Sequence, residues 1–206
     1  MYCAECNCEY VGWANICPVC KSTLINSSPP EFKENGNKIP YKELLDLVNL
    51  NGGQLQIELT TTAVEKKRTW RFPYRGYGYA WVKRMKGEHE GITIDLDTSE
   101  VGTSHKWRFP YFGYGYAWEK SMVGDIGGNE LSLSATRVNS KATWGFPFFG
   151  FGHGWTESLA GHCGEQLEVE VKTVEVCRRR GRRFPYLGYG YAWTQKGSLI
   201  LKTRKQ

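Results

Sequence analysis

Four cysteines near the start of the chain, Cys3, Cys6, Cys17 and Cys20, are by type and spacing the residues best suited to chemistry. They form two C-x2-C pairs with ten residues between them. That spacing lets two tight knuckles close on one tetrahedral ion, and thiolate donors select zinc. Cys8 is a spare thiol that could replace Cys6 in an alternative register. Cys163 and Cys177 fall outside the segment and read as buried or unpaired thiols.

Cys3-Ala-Glu-Cys6 and Cys17-Pro-Val-Cys20 resemble the small N-terminal zinc-ribbon family, over residues 1–22 only. In that family four thiolates close the coordination sphere and leave no position for water. The resemblance therefore implies a structural Zn2+ and no catalytic metal. Other catalytic signals are thin. The four histidines, His89, His105, His153 and His162, stand at unrelated places, and no nucleophile with a matched base recurs. His153, His162 and Cys163 are close enough in sequence to gather. Asp95 and Asp97 alternate along one segment and read as an outward, solubilising face. No glycine loop leads a lysine into a helix to cradle a phosphate. The expectation is a protein that is not an enzyme.

A second chemistry is basic and aromatic. The net charge of +6 is uneven: residues 51–88 carry 8 basic and 3 acidic side chains, and 164–206 carry 10 and 4, while the segments between carry no positive excess. The chain also holds 12 Tyr, 9 Phe and 8 Trp beside 24 Gly, which ties aromatics to glycine. Phosphates need positive charge and unpaired bases need π-faces, so such a surface suits nucleic acid or a ribonucleoprotein. The residues expected to bind it are Arg71, Tyr74, Arg75, Tyr77, Arg182, Arg183, Tyr186 and Tyr189. A protein-interaction or self-assembly module built on the same aromatics is the alternative, with carbohydrate binding third.

The elements that must position these residues are repeats. WRFPYRGYGYAW (70–81), WRFPYFGYGYAW (107–118), WGFPFFGFGHGW (144–155) and RRFPYLGYGYAW (182–193) start 37, 37 and 38 residues apart. Copy three has Gly145, Phe148, Phe151, His153 and Gly154 where its siblings have arginine, tyrosines and Tyr-Ala, so a tyrosine-dependent site there would be impaired. A glycine turn and an alternating aliphatic run precede each motif: Leu55, Ile57, Leu59; Ile92, Ile94, Leu96; Leu131, Leu133; Leu167, Val169, Val171. Period-two apolar residues predict half-buried strands. The run returns once more at Leu199 to Leu201, as an extra strand suited to completing another unit's sheet. Pro73 to Gly76 has the residues of a hairpin turn. The return strand then puts Tyr77, Tyr79 and Trp81 on one face and Gly78 and Ala80 on the other. Phe72 and Trp81 read as core, whereas the tyrosine hydroxyls favour a wet edge.

The predicted architecture is all-β. Four tandem units of about 37 residues, each three-stranded, close with approximate fourfold symmetry into a barrel or propeller-like ring, a barrel being the better match to so short a repeat. The units are 51–88, 89–125, 126–163 and 164–206. Ring closure would make copies one and four neighbours and pool their charge. Ahead of them lie the ribbon at 1–22, a linker at 23–40 rich in Pro, Ser, Asn and Gly, and a short amphipathic helix from Tyr41 to Leu50 that plugs or flanks the repeats. Mean hydropathy is −0.50 and no apolar run approaches the roughly 18 residues of a membrane span. No secretory leader is recognisable, and cysteines grouped as metal ligands fit a reducing compartment, so a cytoplasmic location without membrane contact is expected.

Overall fold

The computed structural model describes residues 2–3, 8–9, 38–71, 75–108, 112–145, 149–183 and 187–204, with side chains over 38–69, 77–106, 113–144, 150–181 and 188–204. The chain divides into two compact units, Met1–Gly36 and Asn37–Gln206. In the first, β1 (Tyr2–Cys3) pairs antiparallel with β2 (Cys8–Glu9), with Cys3 opposite Cys8. Cys6, Cys17 and Cys20 themselves lie outside the described residues, as does most of the expected linker.

The second unit is a closed eight-stranded antiparallel barrel. Its strands are β3 (Gln54–Arg71), β4 (Arg75–His89), β5 (Ile92–Arg108), β6 (Phe112–Ile126), β7 (Asn129–Gly145), β8 (Phe149–Cys163), β9 (Leu167–Arg183) and β10 (Leu187–Thr203). They run up and down in sequence order, and β10 closes on β3. Each copy contributes two long strands rather than three short ones. The aliphatic run and the start of the motif belong to one outgoing strand, because a bulge, not a turn, separates them: in copy one it lies between Thr61 and Val64. Leu199 to Leu201 is likewise the end of β10, and it closes the ring by pairing Leu199 with Ile57 and Leu201 with Leu55.

The copies are joined differently along their length. Within a copy the two strands pair from end to end, from Leu59↔Gly87 to Arg71↔Arg75 in copy one. Between copies they pair only below the bulges, as in Arg84↔Asp97 to His89↔Ile92. This unit is therefore a hydrogen-bonded barrel at one end, with four β-ribbons beyond it that no ladder joins. Arg71 pairs with Arg75 and Trp70 with Gly76, so Gly76, expected at the end of the turn, already belongs to the strand.

The expected aliphatics fill the barrel: Leu55, Ile57, Leu59, Ile94, Leu96, Leu133, Val169 and Leu199 are all buried. An eight-stranded barrel is just wide enough for such side chains to fill it. Two-residue links join the copies at Glu90-Gly91 (φ 49° and 81°) and Gly127-Gly128 (φ 55° and 83°), where both central residues need positive φ as in a type I′ turn. Helix α1 (Tyr41–Leu50) buries Leu44 and Val48 completely. Its end is fixed by Gly53, whose N–H reaches the Val48 carbonyl at 2.9 Å. At its start the chain is tied to the barrel, with the Ile39 N–H donating to Gly127 and the Tyr41 hydroxyl accepting the Gln166 N–H. Residues 38–40, read as linker, thus belong to the barrel unit. Among the described residues no helix is long and apolar enough to cross a membrane.

Candidate nucleic-acid interface

Above the bulges no ladder joins the copies, and side chains take over. Each ribbon has a bare face, carrying Gly78 and Ala80 in copy one, and an aromatic face. The bare face of each copy docks on the aromatic face of the copy before it. A Cβ on Gly115 would lie 2.9 Å from Cβ of Tyr77, and one on Gly190 would lie 2.6 Å from the Gly152 carbonyl oxygen and against His153. Gly78 closes the cycle on Tyr189 and Tyr191 of copy four. This head-to-tail contact closes after four steps, which gives the pseudo-fourfold ring. It also settles what each face meets: the glycines face the preceding ribbon, and the rings are clamped between ribbons.

At the junction of barrel and ribbons lies one buried layer, formed by the residue that follows each motif tryptophan: Val82, Glu119, Thr156 and Thr194. Each polar member reaches back to the preceding copy. Thr156 Oγ1 donates to the Glu119 carbonyl at 2.7 Å, Thr194 Oγ1 to the Thr156 carbonyl at 3.4 Å, and the Glu119 carboxylate accepts the Val82 N–H. Val82 has no polar atom to offer Thr194, and the Thr61 hydroxyl bonds that carbonyl instead. Thr98 and Thr173, at the same bulge position, bond the carbonyls of Val82 and Thr156.

The outgoing strands carry the charge into this ring. The register sets Arg68 opposite Gly78, His105 opposite Gly115, Ala142 opposite Gly152 and Arg180 opposite Gly190. These four equivalent residues share the bare face, so each lies over an aromatic of the preceding copy. The Arg68 guanidinium sits 4.8 Å from the Tyr189 ring and donates Nε–H to the Tyr191 hydroxyl at 2.8 Å. Arg180 sits 5.6 Å from Phe151, and His105 packs 5.7 Å from Tyr77. Ala142 is too short, and its neighbour Trp144 covers Tyr114 edge-on at 5.6 Å. One turn of the pleat lower, Lys66 lies 5.0 Å from Trp193 and Arg178 lies 4.7 Å from Trp155. Such cation–ring contacts contribute about 0.5–1 kcal/mol each at exposed sites.

The bare faces at two adjacent seams, three/four and four/one, are therefore cationic, whereas those at one/two and two/three carry His105 and Ala142 at the equivalent place. Burial, then the nearby Arg180 charge, hold the His153 imidazole below its ordinary range. Burial raises the Tyr191 hydroxyl and the Arg68 hydrogen bond opposes that shift.

Of the residues expected to bind nucleic acid, Tyr189 lies in the four/one seam under Arg68, while Tyr77 is 6% exposed in the one/two seam against His105. Arg71 and Arg75 end β3 and β4, and Arg182 and Arg183 end β9; their side chains are not among those described. Tyr74 and Tyr186 lie outside the described residues. Copies one and four are adjacent, as ring closure requires. The contribution of copy three was not legible in the sequence: Phe151 and Trp155 form the floor under Arg180 and Arg178. The i, i+2 spacing of Lys66/Arg68 and Arg178/Arg180 was the signal that could have found these pairs.

Other chemical groupings stay apart. His153 and His162 stand nine residues apart on the single strand β8, roughly 30 Å at the rise of a β-strand. Cys163 and Cys177 are both buried, and burial pushes the Cys163 thiol up to about 11. Asp97 pairs with Arg84 at 2.8 Å and Asp95 with Lys86 at 2.8 Å across β4 and β5, on the outside of the barrel. Among the described residues no group of three or more His, Cys, Asp or Glu is placed to hold a metal ion. Comparison of the chain with protein-family models, with curated proteins and with solved structures finds no match.

Proposed function

We propose that this chain is a non-catalytic nucleic-acid-binding protein whose binding surface is the pair of cationic seams flanking copy four. The observation that carries this reading is the seating of Lys66, Arg68, Arg178 and Arg180 on rings of the preceding copy, which gathers positive charge from two copies on adjacent seams. A ring under a guanidinium holds its plane while leaving its N–H edge to grip a phosphate. Neutralising phosphates releases counterions, so affinity should fall steeply with salt. A mobility-shift titration with RNA and DNA oligonucleotides from low to physiological salt tests the reading. Binding that is absent at low salt, or that shows no salt slope, removes it.

In the Met1–Gly36 unit we assign Cys3, Cys6, Cys17 and Cys20 as ligands of one structural Zn2+. The donor set suits that ion, and the β1–β2 ladder sets Cys3 opposite Cys8. Such a thiolate site fits a reducing compartment such as the cytoplasm. Self-association through the motif aromatics is the competing reading of the barrel, and Trp144, 45% exposed, favours it most. Mass by light scattering decides: an oligomer that dissociates in Trp144→Ala supports assembly.

A further inference from the structure

Resting on the nucleic-acid reading above, we infer that the ligand is a single strand held by its phosphates along the two cationic seams, with its bases turned away from the protein.

Three of the four rings beneath the cations are closed to stacking, and the fourth, Tyr189, is half-buried beneath Arg68. Phe151 is 3% exposed, Trp155 7% and Trp193 1%. Arg180, Arg178 and Lys66 lie over them from the next ribbon, and the ribbon that carries each ring closes its other side. A base could reach these π-faces only by expelling a cation and parting two ribbons. Single-strand binders that read bases do the opposite and leave their aromatic platforms open. What is open here is charge: Lys66, Arg68, Arg178 and Arg180 are all exposed.

The cations are also strung in line. Lys66 and Arg68 are two residues apart on β3, and Arg178 and Arg180 are two apart on β9. On an extended strand this places like side chains on one face about 6.6 Å apart, a spacing comparable with that of successive phosphates in an extended polynucleotide. Both rails run lengthwise along the seams beside copy four, so one strand can follow a seam with a phosphate at each step. The opposite seams present His105 and Ala142 at the equivalent place and offer no such rail.

The test uses the full-length protein and fluorescence anisotropy at low salt, with a 12-nucleotide oligo-dT, an oligo-dA and a base-free deoxyribose-phosphate strand of equal length. The base-free strand is expected to bind within about threefold of oligo-dT, because charge sets the affinity. Arg68→Gln and Arg180→Gln should each weaken all three strands alike and lower the salt slope by about one. His105→Gln, on a seam without a rail, should leave binding unchanged. A base-free strand bound more than about tenfold more weakly than oligo-dT, the loss expected when even one stacked base is removed, overturns the inference and leaves the nucleic-acid reading standing. If no strand binds at low salt, the reading itself falls and the inference with it.

Discussion

The carboxylate of Glu119 accepts the backbone N–H of Val82, the residue that occupies the same place one copy earlier. Its second oxygen, Oε2, is buried without a hydrogen-bond partner. Burial raises the pKa of this carboxyl, with the Thr156 hydroxyl and the Val82 N–H opposing the shift. The folded protein therefore holds this proton more tightly than the unfolded chain does. The stability so gained is complete below the unfolded value and is lost as pH rises through the folded one, at up to about 1.4 kcal/mol per pH unit. Denaturant melts across pH should show wild type losing stability toward the alkaline side. Glu119→Gln keeps an acceptor for Val82 and has no proton to lose, so this component should be flat in the variant. Parallel profiles for the two proteins would remove the argument.

The closed ring depends on backbone contact between ribbons. A Cβ on Gly152 would lie 2.6 Å from the Gly115 carbonyl oxygen, which is fixed in a strand. Gly152→Ala should therefore cost about 1–3 kcal/mol. At Gly197 the nearest atom is Cε of Met85, at 3.1 Å, the mobile end of a side chain. Gly197→Ala should be clearly milder, and equal costs for the two in thermal melts would contradict head-to-tail packing.

Copy three lacks the bulge hydroxyl of its siblings, with Ala135 where they have Thr61, Thr98 and Thr173. Thr61→Val removes the donor to the buried Thr194 carbonyl and should destabilise by about 1 kcal/mol. Ala135→Thr restores the sibling residue beside the Glu119 carbonyl, which has a second lone pair beyond the one Thr156 uses. It should be neutral or raise the melting temperature. Loss of stability there would show that copy three packs differently at the bulge.

Zinc, if bound by the four thiolates, belongs to the Met1–Gly36 unit alone. Elemental analysis of protein purified without chelator should give about one zinc per chain. Cys17→Ser should abolish it while the barrel's melting transition stays in place. Retention of full zinc by Cys17→Ser would refute the ligand set.

Much of this architecture is local and was legible before folding. The repeat, the period-two aliphatic runs and α1 with its Asn-Gly-Gly stop lie within short windows, because side-chain alternation and turn chemistry act between near neighbours. The expectation of three strands per copy failed for a related reason: a bulge at Thr61–Val64 leaves no residue signature like that of a turn, so one continuous strand looked like two.

The sequence by itself determined that there are four copies, that each motif contains a hairpin turn, and that copies one and four carry the charge. Only the tertiary structure decided what that charge rests on. Alternation offers two faces to each return strand without saying which one meets the next ribbon. Arg68 and Tyr191, whose contact shows the answer, are 123 residues apart. Ring closure brings them together, because the bare face of Gly78 leaves room for the rings of the copy before it and the outgoing strand then carries its cations over those rings.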